Sequence, residues 1–336
     1  MSALAFGPGG VLFVGDGKGG AVFALDLGDA ASRVVAEPKV VVDVEGKLAA
    51  LLGATPADVM VHDMAVNPLS KNVYLSVSRG RAAWSDRWLL PNDVADASVL
   101  VRIDAEGRLS AVDLRRLRFA RVALPNPVDP AKAHGWKEGI TLRADTITDL
   151  VYAEGTLFIA GLSNEEFAAT LWRVAYPFEG PVAATTLESY HGAHGKYETD
   201  APIRTFVPFP LRGRMHVLAA YLCTPLVTFP LADLQDQRQL RGRTVAEFGS
   251  GNYPLDMVVY EKQGARKLLI ANSHLPLMIV DPKDVESHEG EITSEVPGYL
   301  AGVGFEPRSA GAVQQLDNYG DDHVLALERI TRSPSE

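Results

Sequence analysis

Two patterns in the chain bring reactive side chains to close or regular spacing. The first is Tyr190-His191-Gly192-Ala193-His194-Gly195-Lys196-Tyr197-Glu198. Two histidines with a glycine after each can bend to place both imidazoles on one metal ion. The glycines oppose a helix, so this is not the helical His-Glu-x-x-His arrangement. Glu198 stands as a third ligand or a general base. The competing reading is a polar surface loop whose histidines bond to backbone. The second pattern is a recurring step from a polar residue, often Asp, to a large apolar one. It reads Val61-His62-Asp63-Met64, Ile147-Thr148-Asp149-Leu150 and Pro254-Leu255-Asp256-Met257, with weaker copies at Ile203-Arg204-Thr205-Phe206 and Val313-Gln314-Gln315-Leu316. Ser2-Ala3-Leu4 opens the series.

Each copy leads into a turn and a second apolar run: Val11 to Gly15, Val73 to Val77, Leu157 to Gly161, Val217 to Tyr221, Leu268 to Asn272 and Val324 to Leu327. Turn signals such as Glu154-Gly155 and Arg212-Gly213 separate them. A third run often follows, for example Ala21 to Leu25 and Thr170 to Val174. The content in Val, Ile, Leu, Phe and Tyr is that of strands. The apolar anchors Leu4, Met64, Leu150, Phe206, Met257 and Leu316 are separated by 60, 86, 56, 51 and 59 residues. Repeats of this size with three or four strands each predict an all-β propeller of four-stranded antiparallel blades. Six anchors favour six blades. The longest gap leaves room for a seventh, or for the Pro-containing insertion from Arg115 to Asp145. Residues 1–332 read as one domain and 333–336 as a frayed tail, with strands from both chain ends completing one blade. Helix is scarce, its best candidate being Lys47 to Leu52, followed by a short turn capped by Thr55.

In a propeller, inner strands start, and second strands end, on one face around the channel. Alternation along a strand turns Met64, Leu150 and Met257 between blades and Asp63, Asp149 and Asp256 toward the channel, with His62 pointing between blades. Three carboxylates around one channel repel unless protonated, paired or bound to a cation. The alternative is that each caps a neighbouring loop amide. Second-strand ends add Asp16, Ser78, Arg79, Asn164, Glu165, Glu166, Cys223, Asn272 and His274. Asn164 and Asn272 suit a hard cation, His274 adds a nitrogen ligand, and Arg79 could clamp an anion. Cys223 reads as a buried, inert thiol. Beside His274 it would instead favour a soft metal such as copper.

The units Phe6-Gly7-Pro8-Gly9-Gly10-Val11-Leu12-Phe13-Val14-Gly15-Asp16 and Asn252-Tyr253-Pro254-Leu255-Asp256-Met257 resemble the broad six-bladed class of gluconolactonase-like and NHL-like propellers. The chain also resembles bacterial propeller proteins. The lactonase-like resemblance implies a divalent cation at the channel mouth, held by Glu, Asn and Asp.

The 336 residues carry a net charge of -10, which disfavours nucleic acid as a partner. No run is long and apolar enough for a membrane span. One cysteine excludes an intrachain disulfide and leaves the compartment open between cytoplasmic and exported after removal of a signal. No phosphate-binding glycine loop, Gly-x-Ser-x-Gly elbow or Cys-x-x-Cys pair occurs. Three functions are therefore carried forward. The first is a metal-assisted, lactonase-like hydrolase with a small-molecule substrate at the channel mouth. Its divalent ion (Ca or Zn) would sit among Asp63, Asp149, Asn164, Asp256, Asn272 and His274, with His191, His194, Glu198 and Arg79 in catalytic roles. The second is a non-catalytic propeller binding a ligand or a protein partner on that face, with Trp84 and Trp88 as interface anchors. The third is a copper or iron redox enzyme using His62, His191, His194 and His274.

Overall fold

Short runs rich in Val, Leu and Phe, bounded by turn residues, fold as antiparallel strands. The computed structural model describes residues 1–29, 37–79, 98–135, 141–262, 264–298, 300–320 and 323–329. Two hairpins show how local sequence sets the pairing. Glu154 and Gly155 join Asp149–Ala153 to Thr156–Leu162 with φ values of 49° and 81°. Arg212 and Gly213 join Thr205–Leu211 to Arg214–Ala220 with 50° and 73°. Two successive left-handed residues match the twist of paired strands, and glycine at the second lowers the cost.

The first blade comprises Leu4–Phe6, Val11–Asp16, Ala21–Asp26 and Arg118–Ala123. The second comprises Val59–Val66, Val73–Arg79, Ser98–Ile103 and Leu109–Ala111. The third runs Asp149–Ala153, Thr156–Leu162, Ala169–Ala175 and Ala183–His191, extended by Lys196–Glu198 and by a parallel strand, Arg238–Arg241. The fourth holds Thr205–Leu211, Arg214–Ala220, Pro225–Pro230, Arg243–Glu247 and Ala301–Gly302. The fifth holds Pro254–Lys262, Ala265–Asn272, Leu277–Val280 and Glu306–Arg308. The sixth is the hairpin Ala312–Tyr319 and His323–Arg329. Among the described residues five blades therefore hold four or more strands each, and the sixth repeat contributes two.

The apolar clusters lie between blades and fix their order. Phe13, Ile147, Leu150 and Trp172 join the first blade to the third. Leu171, Phe206 and Phe229 join the third to the fourth. Leu218, Met257 and Leu268 join the fourth to the fifth, and Val258 and Leu316 join the fifth to the sixth. Leu325 and Leu327 of the sixth meet the second blade, whose Tyr74 and Leu100 pack on Leu4 and Leu12 of the first. The second blade thus sits between the sixth and the first.

This order corrects two expectations. The 86-residue gap holds no seventh blade among the described residues: it contains the fourth strand of the first blade, Arg118–Ala123, which pairs with Ala21–Asp26 after the chain has built the second blade. The chain ends do not share a blade either. The C-terminal strand pairs with Ala312–Tyr319 and the N-terminal one with Val11–Asp16. Helix α1 spans Val44–Leu52, capped by Asp43, which accepts from the Gly46 amide. Thr55 does not cap an amide, and its hydroxyl donates to Asp58 instead. A second helix, Pro282–Ser287, follows Asp281 as its cap. Among the described residues no helix is long and apolar enough to cross a membrane.

Candidate functional site

The inner strands expose equivalent positions to the central channel. Ser2, His62, Thr148, Arg204 and Leu255 occupy one level, and Ala3, Asp63, Asp149, Thr205, Asp256 and Gln315 the next. Together they line a cavity of about 810 Å³. Asp16 and Ser78, from second-strand ends, complete the same wall.

Each aspartate lies where strand alternation predicts, with Met64, Leu150 and Met257 buried behind it. Its carboxylate is engaged on both oxygens. Asp63 accepts from the Leu4 amide at 2.6 Å and the Met64 amide at 2.7 Å. Asp149 accepts from Phe206 at 3.0 Å and Leu150 at 2.7 Å. Asp256 accepts from Leu316 at 2.6 Å and Met257 at 2.7 Å. Asp317 repeats the device on Val66 at 2.6 Å and Asn318 at 2.7 Å. In every case one amide belongs to the aspartate's own strand and the other to the inner strand of the next blade. The carboxylates are interblade clasps. The capped amides are those of neighbouring strands, and loop amides play no part. We expect Asp63→Ala to orphan both amides and cost at least about 2 kcal/mol of stability in urea unfolding.

Enclosure by the fold outweighs these amides. Burial and the nearby Asp256 and Asp149 charges hold the Asp63 carboxyl well above its usual range. Burial raises Asp149 to about 7 and, with the Asp149 and Asp317 charges, raises Asp256 strongly. Arg204 also lines the cavity and donates to Asp145 at 3.1 Å.

His62 does not turn between blades. The register shifts between Val61 and Asp63, so His62 is the extra residue of a bulge. A bulge suspends alternation and re-aims a side chain, which sends His62 to the cavity wall beside Asp63. Its Nε2 meets Ser78 Oγ at 2.8 Å, and burial lowers its pKa to about 4.

The first pattern, the two-histidine loop, assembles elsewhere, between the third and fourth blades. His191 ends the strand Ala183–His191, and a single turn at Gly192–His194 returns the chain into Lys196–Glu198. A side chain on Gly192 would strike Val296 and Glu247, and Gly195 takes φ 64°, so both glycines serve this reversal. Glu198 binds both imidazoles: His191 Nδ1 at 2.6 Å and His194 Nδ1 at 2.9 Å, with Lys196 Nζ at 3.4 Å. Cys223 joins them from the turn between Arg214–Ala220 and Pro225–Pro230, and one ligand atom from each of His191, His194 and Cys223 lies within 4.8 Å of the others. Burial pulls His191 down, but Cys223, Glu198 and Glu247 prevail and raise it to about 9. Burial likewise opposes ionisation of Glu198, yet the two histidines hold it at about 2. Contact with His191 lowers the Cys223 thiol to about 7. The inert-thiol reading of Cys223 is therefore corrected. Its position at a second-strand end was legible; its neighbours were not.

The remaining candidates lie apart. Asn272 is buried and bonded to Asn252 and the Ile270 carbonyl. His274 bonds Ser273 at 2.6 Å and packs on Tyr253. Asn164 accepts from the Asp129 amide at 3.4 Å. Arg79 donates to the Leu52 carbonyl at 2.8 Å. None of these four lines the cavity. Of the four histidines considered for a redox centre, His191 and His194 meet, while His62 and His274 lie elsewhere. Trp84 and Trp88 fall outside the described residues.

No protein-family model matches the chain, and no curated protein matches it. Solved structures do. The extracellular domain of a putative one-component system from B. thetaiotaomicron aligns with 98% of this chain at 13% identity and a TM-score of 0.36. This chain spans 38% of that protein's length. BamB from Moraxella catarrhalis aligns with 97% of this chain and 82% of its own at 12% identity and 0.29. Trypanosoma rangeli sialidase aligns with 96% of this chain and 50% of its own at 10% identity and 0.36. The fold is a β-propeller. That conclusion rests on the sheet order above, and function is left to the chemistry of the two clusters.

Proposed function

We propose that this propeller binds a small amine-bearing molecule at its channel mouth. The observation that carries this reading is the cavity of about 810 Å³ lined by Asp63, Asp149 and Asp256. That size suits a small organic ligand. The lining is acidic on balance, with Asp16, Asp63, Asp145, Asp149 and Asp256 against the Met1 amino group, Lys18 and Arg204. Carboxylates that raise one another's pKa gain most from an incoming cation. Phe23, Leu25 and Phe119 supply an apolar wall for the rest of the molecule.

A divalent ion would satisfy the same charge, and with it the metal-assisted hydrolysis implied by the gluconolactonase-like resemblance. Binding of an organic cation is favoured because each of the three carboxylates already accepts an amide on both oxygens, and the other expected oxygen ligands, Asn164 and Asn272, lie off the cavity. A panel of small primary and quaternary amines, Ca²⁺ and Zn²⁺ screened by thermal shift separates the two. An amine at a hundredfold excess over its Kd should add about 2.7 kcal/mol, more at pH 8 than at pH 5, because the carboxylates are ionised at the higher pH. Stabilisation by Ca²⁺ or Zn²⁺ that Asp149→Asn abolishes, without any amine effect, would restore the hydrolase reading.

A further inference from the structure

We propose that His191, His194 and Cys223 bind one thiophilic transition-metal ion of the zinc or copper kind. The site is distinct from the channel, whose cavity none of the three lines, and it does not depend on the amine reading.

The donor set comes first. Two imidazoles and a thiol are the ligands zinc and copper take, whereas Ca²⁺ and Mg²⁺ take oxygens. On tetrahedral zinc, a nitrogen and a sulfur ligand stand about 3.5 Å apart. The ligand atoms here already lie within 4.8 Å of one another, so closure on an ion needs shifts of about an ångström.

The second observation is orientation. Both Nδ1 atoms are hydrogen-bonded to one carboxylate, Glu198, one oxygen to each ring. This leaves Nε2 as the free nitrogen of each imidazole. A carboxylate holding the far nitrogen is how metal-bound histidines are aimed and made more basic. A single carboxylate serving two imidazoles has no use in a surface loop whose histidines bond to backbone.

The third observation is an orphan. His191 is 1% exposed, and its Nε2 is buried with no formed hydrogen bond. Buried ring nitrogens are normally satisfied. This one lies beside the Cys223 thiol. The thiol is itself held in place: Cys223 and Thr224 both take φ 61°, the Cys223 amide donates to the Asn252 carbonyl at 2.9 Å, and the Gly251 amide donates to Sγ at 3.4 Å. Three protein ligands leave one position for water or substrate, as in catalytic zinc sites.

Cobalt(II) is the probe, because it reports sulfur ligation by a thiolate-to-metal charge-transfer band and tetrahedral geometry by its visible bands. We expect about one equivalent of Co²⁺ to bind and Zn²⁺ to displace it. Cys223→Ser should lose the charge-transfer band while keeping the fold. His194→Ala removes an exposed side chain, so the protein should stay folded while affinity falls at least tenfold. Glu198→Gln, which touches no metal, should weaken binding about 10–100-fold. Copper bound in place of zinc, with an intense thiolate band, supports the same site and selects its metal. A folded wild-type protein that gives no charge-transfer band overturns the proposal, and so does a band that His194→Ala and Glu198→Gln leave unchanged.

Discussion

Between about pH 4.5 and 6.5 the protein should lose stability as the pH rises, contrary to the usual behaviour of a carboxylate-rich domain. Unfolded, the aspartates ionise near their ordinary 3.8. Folded, Asp149 keeps its proton to about 7, Asp317 to about 6, and Asp63 and Asp256 are raised well above the ordinary value. The native state therefore binds more protons than the unfolded one across this window, and its stability falls with pH. His62 acts in the opposite sense. It is held near 4 rather than 6.5, binds fewer protons when folded, and offsets one carboxyl. Each uncompensated proton counts about 1.4 kcal/mol per pH unit, so Asp149 alone contributes about 3 kcal/mol over the window. Urea unfolding at several pH values measures the slope. Asp149→Asn should flatten it and, having one oxygen in place of two, should also lower stability at the acid end.

Leu255→Lys should produce the second large effect. Leu255 is the extra residue of the bulge before Asp256 and lines the cavity beside it. A lysine there carries its own cation to the carboxylate ring. We expect the pH slope to shrink and amine affinity to fall at least tenfold, read by titration calorimetry at pH 8. Leu255→Met keeps the apolar volume and should leave both unchanged. If Leu255→Lys binds amines as the wild type does, the carboxylates are not what the ligand meets.

Much of the fold was legible because the repeat is written in large residues. Leu4, Met64, Leu150, Phe206, Met257 and Leu316 recur at one position of each inner strand, and alternation then sets Asp63, Asp149 and Asp256 toward the channel. His62 was misread because a bulge adds a residue without any sequence mark, and one residue reverses which way a side chain points. Blade order was hidden for a different reason. Arg118–Ala123 returns to the first blade from beyond the second, and strand pairing over that distance leaves no local pattern. At the cluster of His191, His194 and Cys223, the His-Gly-Ala-His-Gly run was plain. Cys223, 32 residues past His191, reaches it only through interblade packing and a left-handed turn made without glycine.

The carboxyl carbon resonance of Asp149, followed by NMR through a pH titration with and without a bound amine, tests the channel account most directly. The account predicts a midpoint near pH 7 in the free protein and a clear fall when the amine is present. A midpoint near the ordinary 3.8, unmoved by amines, would mean that the ring holds no charge for a ligand to neutralise, and that the aspartates are interblade clasps alone.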